Sequence, residues 1–125
     1  MTSKQPKDER VRVRHMLDAA KKAVAFTQSR SRADLDTDEM LALALVRLLE
    51  IIGEAAKYVP QDIKAAGSAV PWSQIARTRD RLIHGYFNVN LQIVWDIVTD
   101  ELPPLVKALE AVLLLPIPAQ DEAGA

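Results

Sequence analysis

The sequence predicts an all-α domain, and three observations predict it. Apolar residues recur three and four positions apart through long stretches, the period of a helix that buries one face. No stretch carries the sustained apolar–polar alternation that would make a convincing strand. Residues that start or stop helices stand where the periodic stretches begin and end. At 125 residues the chain suits a single domain over 1–125, large enough to bury a core without staples.

Four main helices are expected in order. The first is expected from about Asp8 to Gln28, with Val13, Leu17, Ala20 and Val24 at helical spacing. Residues 29–36 read as a polar connection, and Asp36 with Glu39 has the spacing of a capping box. The second helix, roughly Thr37 to Tyr58, repeats Leu41, Leu45, Leu48, Ile52 and Ala55, while Arg47, Glu50, Glu54 and Lys57 collapse onto one narrow face. That polar stripe reads either as a solvated face with ion pairs or as a wall of an active cleft. Pro60 closes the helix, and Ala65-Ala66-Gly67-Ser68 reads as a loop.

Pro71 suits the first turn of a third helix that carries Trp72, Ile75, Leu82 and Ile83 and ends near His84, with Gly85 as its C-cap. Asn90 is a good N-cap for the fourth, which presents Leu91, Val94, Val98, Leu102, Leu105, Leu109 and Val112. Pro103-Pro104 must kink or split it, because neither has an amide donor. The ordered core is expected over about 8–115, with 116–125 a flexible tail.

Composition removes several function classes. The chain has no cysteine, so disulfides and thiolate chemistry are excluded, and zinc would have to rely on two histidines and carboxylates. Neither a Gly-rich phosphate loop nor a nucleophile elbow is present. The start of the chain lacks an apolar signal core, and no apolar run is long enough to span a bilayer, so a cytoplasmic protein without membrane contact is expected. The net charge of −1 argues against a protein that coats nucleic acid indiscriminately. Its distribution is uneven, however: residues 1–32 carry nine Lys and Arg against three acids. Folded beside the arginines at 77–81, that segment would complete one local anion site.

Those arginines belong to the densest chemistry in the chain, Arg77-Thr78-Arg79-Asp80-Arg81-Leu82-Ile83-His84-Gly85-Tyr86. Arginine presents a planar fork of donors to phosphate, and histidine exchanges protons near neutral pH. The pairing suits RNA cleavage without a metal or a cofactor: a base takes the ribose 2′-OH proton, an acid protonates the leaving 5′-oxygen, and arginine stabilises the charged phosphoryl oxygens. On a straight helix Arg79 and His84 diverge by about 140°, so one copy makes an incomplete site and two facing copies would share a groove. Asp80 and His84, four apart, would face each other, and the helix end would favour a protonated His84. Arg77, Arg81 and His84 would fall along one side. Spacing alone leaves a second reading open, a solvated arginine face with a capping histidine. His15, between Arg14 and Met16, reads as a surface residue.

Beyond spacing, the wording of Pro71-Trp72-Ser73-Gln74-Ile75-Ala76 and Arg79-Asp80-Arg81-Leu82-Ile83-His84-Gly85-Tyr86-Phe87 closely resembles the HEPN toxin family HepT. Ile51-Ile52-Gly53-Glu54-Ala55-Ala56-Lys57 and the stretch from Ile93-Val94-Trp95 to Asp100-Glu101-Leu102-Pro103 are also similar to it. The resemblance covers almost the whole chain except its tails. Its diagnostic Arg-x-x-x-x-His-x-Tyr stands here as Arg79, His84 and Tyr86. It implies a HEPN-type antiparallel bundle of four to five helices that dimerises, with a composite endoribonuclease site at the interface. Arg79 and His84 would be catalytic, with Asp80, Arg77 and Arg81 in support. It further implies the toxin of a toxin–antitoxin pair, whose partner is a nucleotidyltransferase antitoxin of the MntA type that transfers AMP from ATP to the motif tyrosine, by position Tyr86. Phosphate and a bulky base two residues from His84 would then block RNA. Many members carry Asn after the motif arginine, where this chain has Asp80, which puts rate and pH optimum in question more than reaction type. A helical dimer that binds its partner or a nucleotide without cutting RNA is the competing expectation.

Overall fold

A computed structural model of the chain describes residues 9–84 and 88–116, His84 by its backbone alone. Helix α1 (Val11–Phe26) lies against α3 (Glu39–Lys57) and α8 (Leu102–Leu113), and these three build most of the core. The buried positions Val13, Met16, Leu17 and Ala20 on α1 and Leu41, Leu45, Leu48 and Ile52 on α3 keep the spacing that the sequence predicts. Met16, Leu45 and Leu109, one on each of these helices, are 0% exposed, each side chain contributing about 1.5–3 kcal/mol by leaving water. The Arg10 guanidinium donates to the carbonyl oxygens of Leu113, at 2.9 Å, and Leu115, and so occupies the acceptors left open at the end of α8. Among the described residues no helix is long and apolar enough to cross a membrane.

Between α1 and α3 runs a short helix α2 (Asp34–Thr37), and this corrects the expected capping box. Asp36 has helical backbone inside α2 and pairs with Arg32 at 3.2 Å. The cap of α3 is Asp38, whose extended backbone (φ −112°, ψ 90°) lets its carboxylate accept the Leu41 N–H at 3.0 Å. A second correction comes after Pro60: Ala65 and Ala66 belong to α4 (Gln61–Ala66), which buries Ile63, and only Gly67 onward is loop. There the buried Trp72 indole donates to the Gly67 carbonyl at 3.0 Å.

The expected third helix is two helices, α5 (Trp72–Ala76) and α6 (Thr78–Leu82), broken at Arg77 (φ −97°, ψ 14°). The buried Thr78 hydroxyl donates to the Ile75 carbonyl at 2.6 Å, a second donor beside the backbone N–H that this carbonyl accepts at the break. Helix α6 then stops at Leu82, short of the expected end at His84, because Ile83 turns extended (φ −94°, ψ 125°). A small antiparallel pair that the sequence did not signal takes over: β1 (Ile83–His84) and β2 (Asn88–Val89), with Ile83 opposite Val89 and His84 opposite Asn88. The Asn90 N–H closes it on the Leu82 carbonyl at 2.8 Å. Gly85, the expected cap, lies outside the described residues.

Asn90 caps α7 (Leu91–Asp96) as expected, its side-chain oxygen accepting the Ile93 N–H at 3.1 Å. The expected fourth helix is divided just before Pro103-Pro104: Ile97–Glu101 widens into a π-turn, where the Leu102 N–H reaches back to the Ile97 carbonyl, and α8 begins with the prolines in its first turn. Amides in that turn have no helical partner of their own, so the missing donors cost little there. The expected tail beyond Pro116 lies outside the described residues.

Candidate functional site

Arg79 owes its place to a glycine. Gly53 on α3 is buried, and a Cβ built on it would stand 3.1 Å from the Ile75 carbonyl oxygen and 3.4 Å from the Thr78 Cβ. Hydrogen at this position therefore lets the α5–α6 junction sit directly on α3. Arg79, on the exposed side of α6, is thereby laid beside the polar stripe of α3. Together they line a cleft of about 240 Å³ formed by Arg47, Glu50, Gly53, Glu54, Lys57, Ala76 and Arg79. The stripe thus lines the cleft that holds the motif arginine. It also keeps its ion pairs, Arg47–Glu50 at 3.8 Å and Lys57–Glu54 at 3.6 Å. Three cations against two carboxylates leave the cleft with a net positive charge suited to a phosphate.

The other motif residues are dispersed. Arg77 is exposed and its guanidinium donates to the Ser73 hydroxyl at 2.7 Å. Asp80 is exposed on α6, its backbone N–H bonded to the Arg77 carbonyl at 3.0 Å. Arg81 turns away from Arg79 and makes a two-pronged bond to Glu101 on the π-turn, at 3.0 and 2.7 Å. The bonded carboxylate pushes the Arg81 pKa up, against a smaller opposing effect of burial. Arg81 therefore ties α6 to the π-turn and so holds the motif segment in place. The sequence offered no signal for this pair, because twenty positions separate its members.

Two expectations for His84 are overturned by the end of α6 at Leu82. With Ile83 extended, Asp80 and His84 are not stacked on one helix face, and His84 is not in a helix's last turn where the dipole would act. The same break removes the shared side expected for Arg77, Arg81 and His84. The His84 side chain and Tyr86 lie outside the described residues.

The N-terminal basic segment is likewise spread out. Lys21 pairs with Glu110 at 3.2 Å, Arg30 with Asp38 at 3.3 Å and Arg32 with Asp36 at 3.2 Å. Arg12 and His15 reach the neighbourhood of Arg79, lining a second cavity with Arg47, Glu54 and Tyr58. Spacing of three along α1 puts both on one face, a signal that the charged surroundings of His15 obscured.

Against this geometry stand the comparisons with known proteins. The family model described as "Ribonuclease HepT-like" matches residues 16–112. The chain is 39% identical over 107 residues to a candidate RNase of Caldanaerobacter subterraneus subsp. tengcongensis, covering 86% of this chain and 96% of the other. A candidate RNase of Methanocaldococcus jannaschii is 37% identical over 107 residues, 86% of this chain and 88% of its own. A protein of Thermococcus cleftensis named as a probable ribonuclease HepT is 41% identical over 80 residues, 64% of this chain and 73% of its own. No solved structure matches the chain.

Proposed function

The chain belongs to the HepT-like ribonuclease family and is a ribonuclease, and on that premise we propose that it is the endoribonuclease toxin of a toxin–antitoxin pair, acting in the cytoplasm. Arg79 and His84 carry the cleavage. A base removes the 2′-OH proton, the 2′-oxygen bonds to the adjacent phosphorus, and the bond to the 5′-oxygen breaks as an acid protonates that oxygen. The products are a 2′,3′-cyclic phosphate and a free 5′-hydroxyl, with no water, metal or cofactor consumed. Histidine serves as base, acid or both, and Arg79 stabilises the charge on the phosphoryl oxygens. Arg77 and Asp80 act from the periphery. Two copies of the chain form a homodimer in which the site is shared. A nucleotidyltransferase antitoxin silences it by moving AMP from ATP onto Tyr86, releasing pyrophosphate.

The observation that carries this reading is the place of Arg79 in a net cationic cleft, where Gly53 lets its segment sit directly on α3. Purified protein incubated with RNA in the presence of a chelator is expected to generate internal cuts with cyclic phosphate ends. Arg79→Ala and His84→Ala are expected to remove cleavage while the far-UV circular dichroism stays unchanged. A His84→Ala protein that cuts at the original rate would overturn the assignment. A wild-type protein that holds its partner yet cuts nothing would leave a non-catalytic binding module. After co-production with the antitoxin, the Tyr86 peptide is expected to gain the mass of one or more AMP units, and an unchanged mass would remove the proposed off switch.

A further inference from the structure

We propose that the groove between α1 and α3, formed by Arg12, His15, Arg47, Ile51, Glu54 and Tyr58, binds the single-stranded RNA that flanks the cleaved phosphate. The inference rests on the ribonuclease reading above and extends it from the bond that is cut to the strand that is held.

The groove has a volume of about 260 Å³ and shares Arg47 and Glu54 with the Arg79 cleft, so the two are continuous along α3. Gly53, the residue beneath the Arg79 segment, and Tyr58 are five positions apart, about 7.5 Å of rise and about 140° around the helix axis. The link between cleft and groove is therefore the shared pair Arg47 and Glu54, across which a strand seated at Arg79 passes to reach Tyr58. Tyr58 is 60% exposed at the end of α3, and the Arg12 guanidinium carbon stands over its ring, 5.6 Å from the centre. Single-stranded nucleic acid uses such a pair by stacking a base on the aromatic side chain and seating its phosphate on the fixed positive charge. Arg47, with 72% of its side chain exposed, stands where groove and cleft join and offers donors to either. His15, one turn from Arg12, adds a further polar group on the same wall. The apolar floor is small, Ile51 and Ala55, and the rim is charged, which fits a strand of nucleotides better than the buried anchor of a protein partner.

Steady-state cleavage of a dodecamer and of a dinucleotide RNA tests the proposal. For the dodecamer, Tyr58→Ala and Arg12→Ala are expected to raise KM by roughly tenfold or more, with kcat held within about twofold. Tyr58→Phe keeps the ring and is expected to retain the original KM. For Arg12→Ala, the slope of log KM against log salt is expected to fall by about 0.7, one lost phosphate contact on a single strand. The dinucleotide, too short to fill the groove, is expected to lose little in either variant. A dodecamer KM unmoved in both variants overturns the track while leaving the ribonuclease reading intact. Wild-type protein that cleaves neither RNA overturns both.

Discussion

Replacing Gly53 by alanine tests the contact that seats Arg79. The new methyl would stand 3.1 Å from the Ile75 carbonyl oxygen, closer than such a pair rests comfortably, and 3.4 Å from the Thr78 Cβ. That carbonyl cannot swing aside freely, because the Thr78 hydroxyl already holds it at 2.6 Å. Overfilling a packed site costs about 1–3 kcal/mol, whereas exchanging glycine for alanine inside a helix returns about 1 kcal/mol. The difference leaves a loss of about 0–2 kcal/mol, small beside the stability of an ordinary domain. The variant thus remains folded, and any fall in RNA cleavage reports a displaced Arg79. Urea unfolding read by circular dichroism is expected to show a lower midpoint at unchanged slope, with cleavage reduced severalfold. In a Thr78→Ala background the carbonyl is released, and the two changes are expected to couple by at least about 0.5 kcal/mol. A Gly53→Ala protein that gains the full helix benefit, cuts RNA at the original rate and adds independently to Thr78→Ala would refute the reasoning.

Other substitutions probe the same packing. Leu82 is 0% exposed where α6 passes into β1, so Leu82→Ala is expected to cost about 2–5 kcal/mol in urea unfolding; a cost under about 1 kcal/mol would contradict its burial. Asp38→Ala is expected to lower the unfolding midpoint clearly more than Asp36→Ala, and equal effects would restore Asp36 as the cap. The Leu41 N–H, opposed by desolvation and helped by Arg30, holds the Asp38 carboxyl below the usual carboxylate range. A depressed carboxyl stabilises the fold above its unfolded value of about 3.9 and loses that contribution as pH falls through the lower folded value, so the gap between wild type and Asp38→Ala is expected to close in acid titrations below about pH 4. Glu101→Gln weakens the half-exposed tie to Arg81 and is expected to cost about 0.5–1 kcal/mol at low salt, less at 1 M, where screening acts within about 3 Å. Because the Arg81 pKa is raised, its share is present below the unfolded arginine value and lost only above it, so no transition from Arg81 is expected in the working pH range.

Long-range periodicity was the part of the fold legible in the sequence. Helices α1, α3 and α8 were readable because their buried residues repeat every three to four positions over many turns. Features decided by only a few residues or by distant partners escaped it. Ile83 and His84 continue a helical pattern, yet pairing with Asn88 and Val89 outweighs one further helical turn, and two residues are too few to show alternation. Asp36 and Asp38 are chemically alike, and only the backbone entering α3 decides which of them caps it. The prolines at 103 and 104 signalled a break, but not that it takes the form of a widened turn just before them. Around the Arg79 cleft, the sequence showed the motif segment and the α3 charges on one face as separate features. It could not join them, because the join depends on a missing side chain at Gly53 and on a hydroxyl at Thr78.

The single guanidinium of Arg10, bonded to the carbonyls of Leu113 and Leu115, makes the path of the chain nearly a closed ring. Residues 10 and 115 lie within the span of one side chain, so a short linker would join them without disturbing α1 or α8. The ring would then tolerate being opened elsewhere, for instance between the exposed Ser68 and Ala69, where no helix would be cut. Such a permuted protein would keep α3, α5 and α6 in register around Arg79 with its ends on a different side. The order in which the helices are strung is therefore separable from the cleft they make.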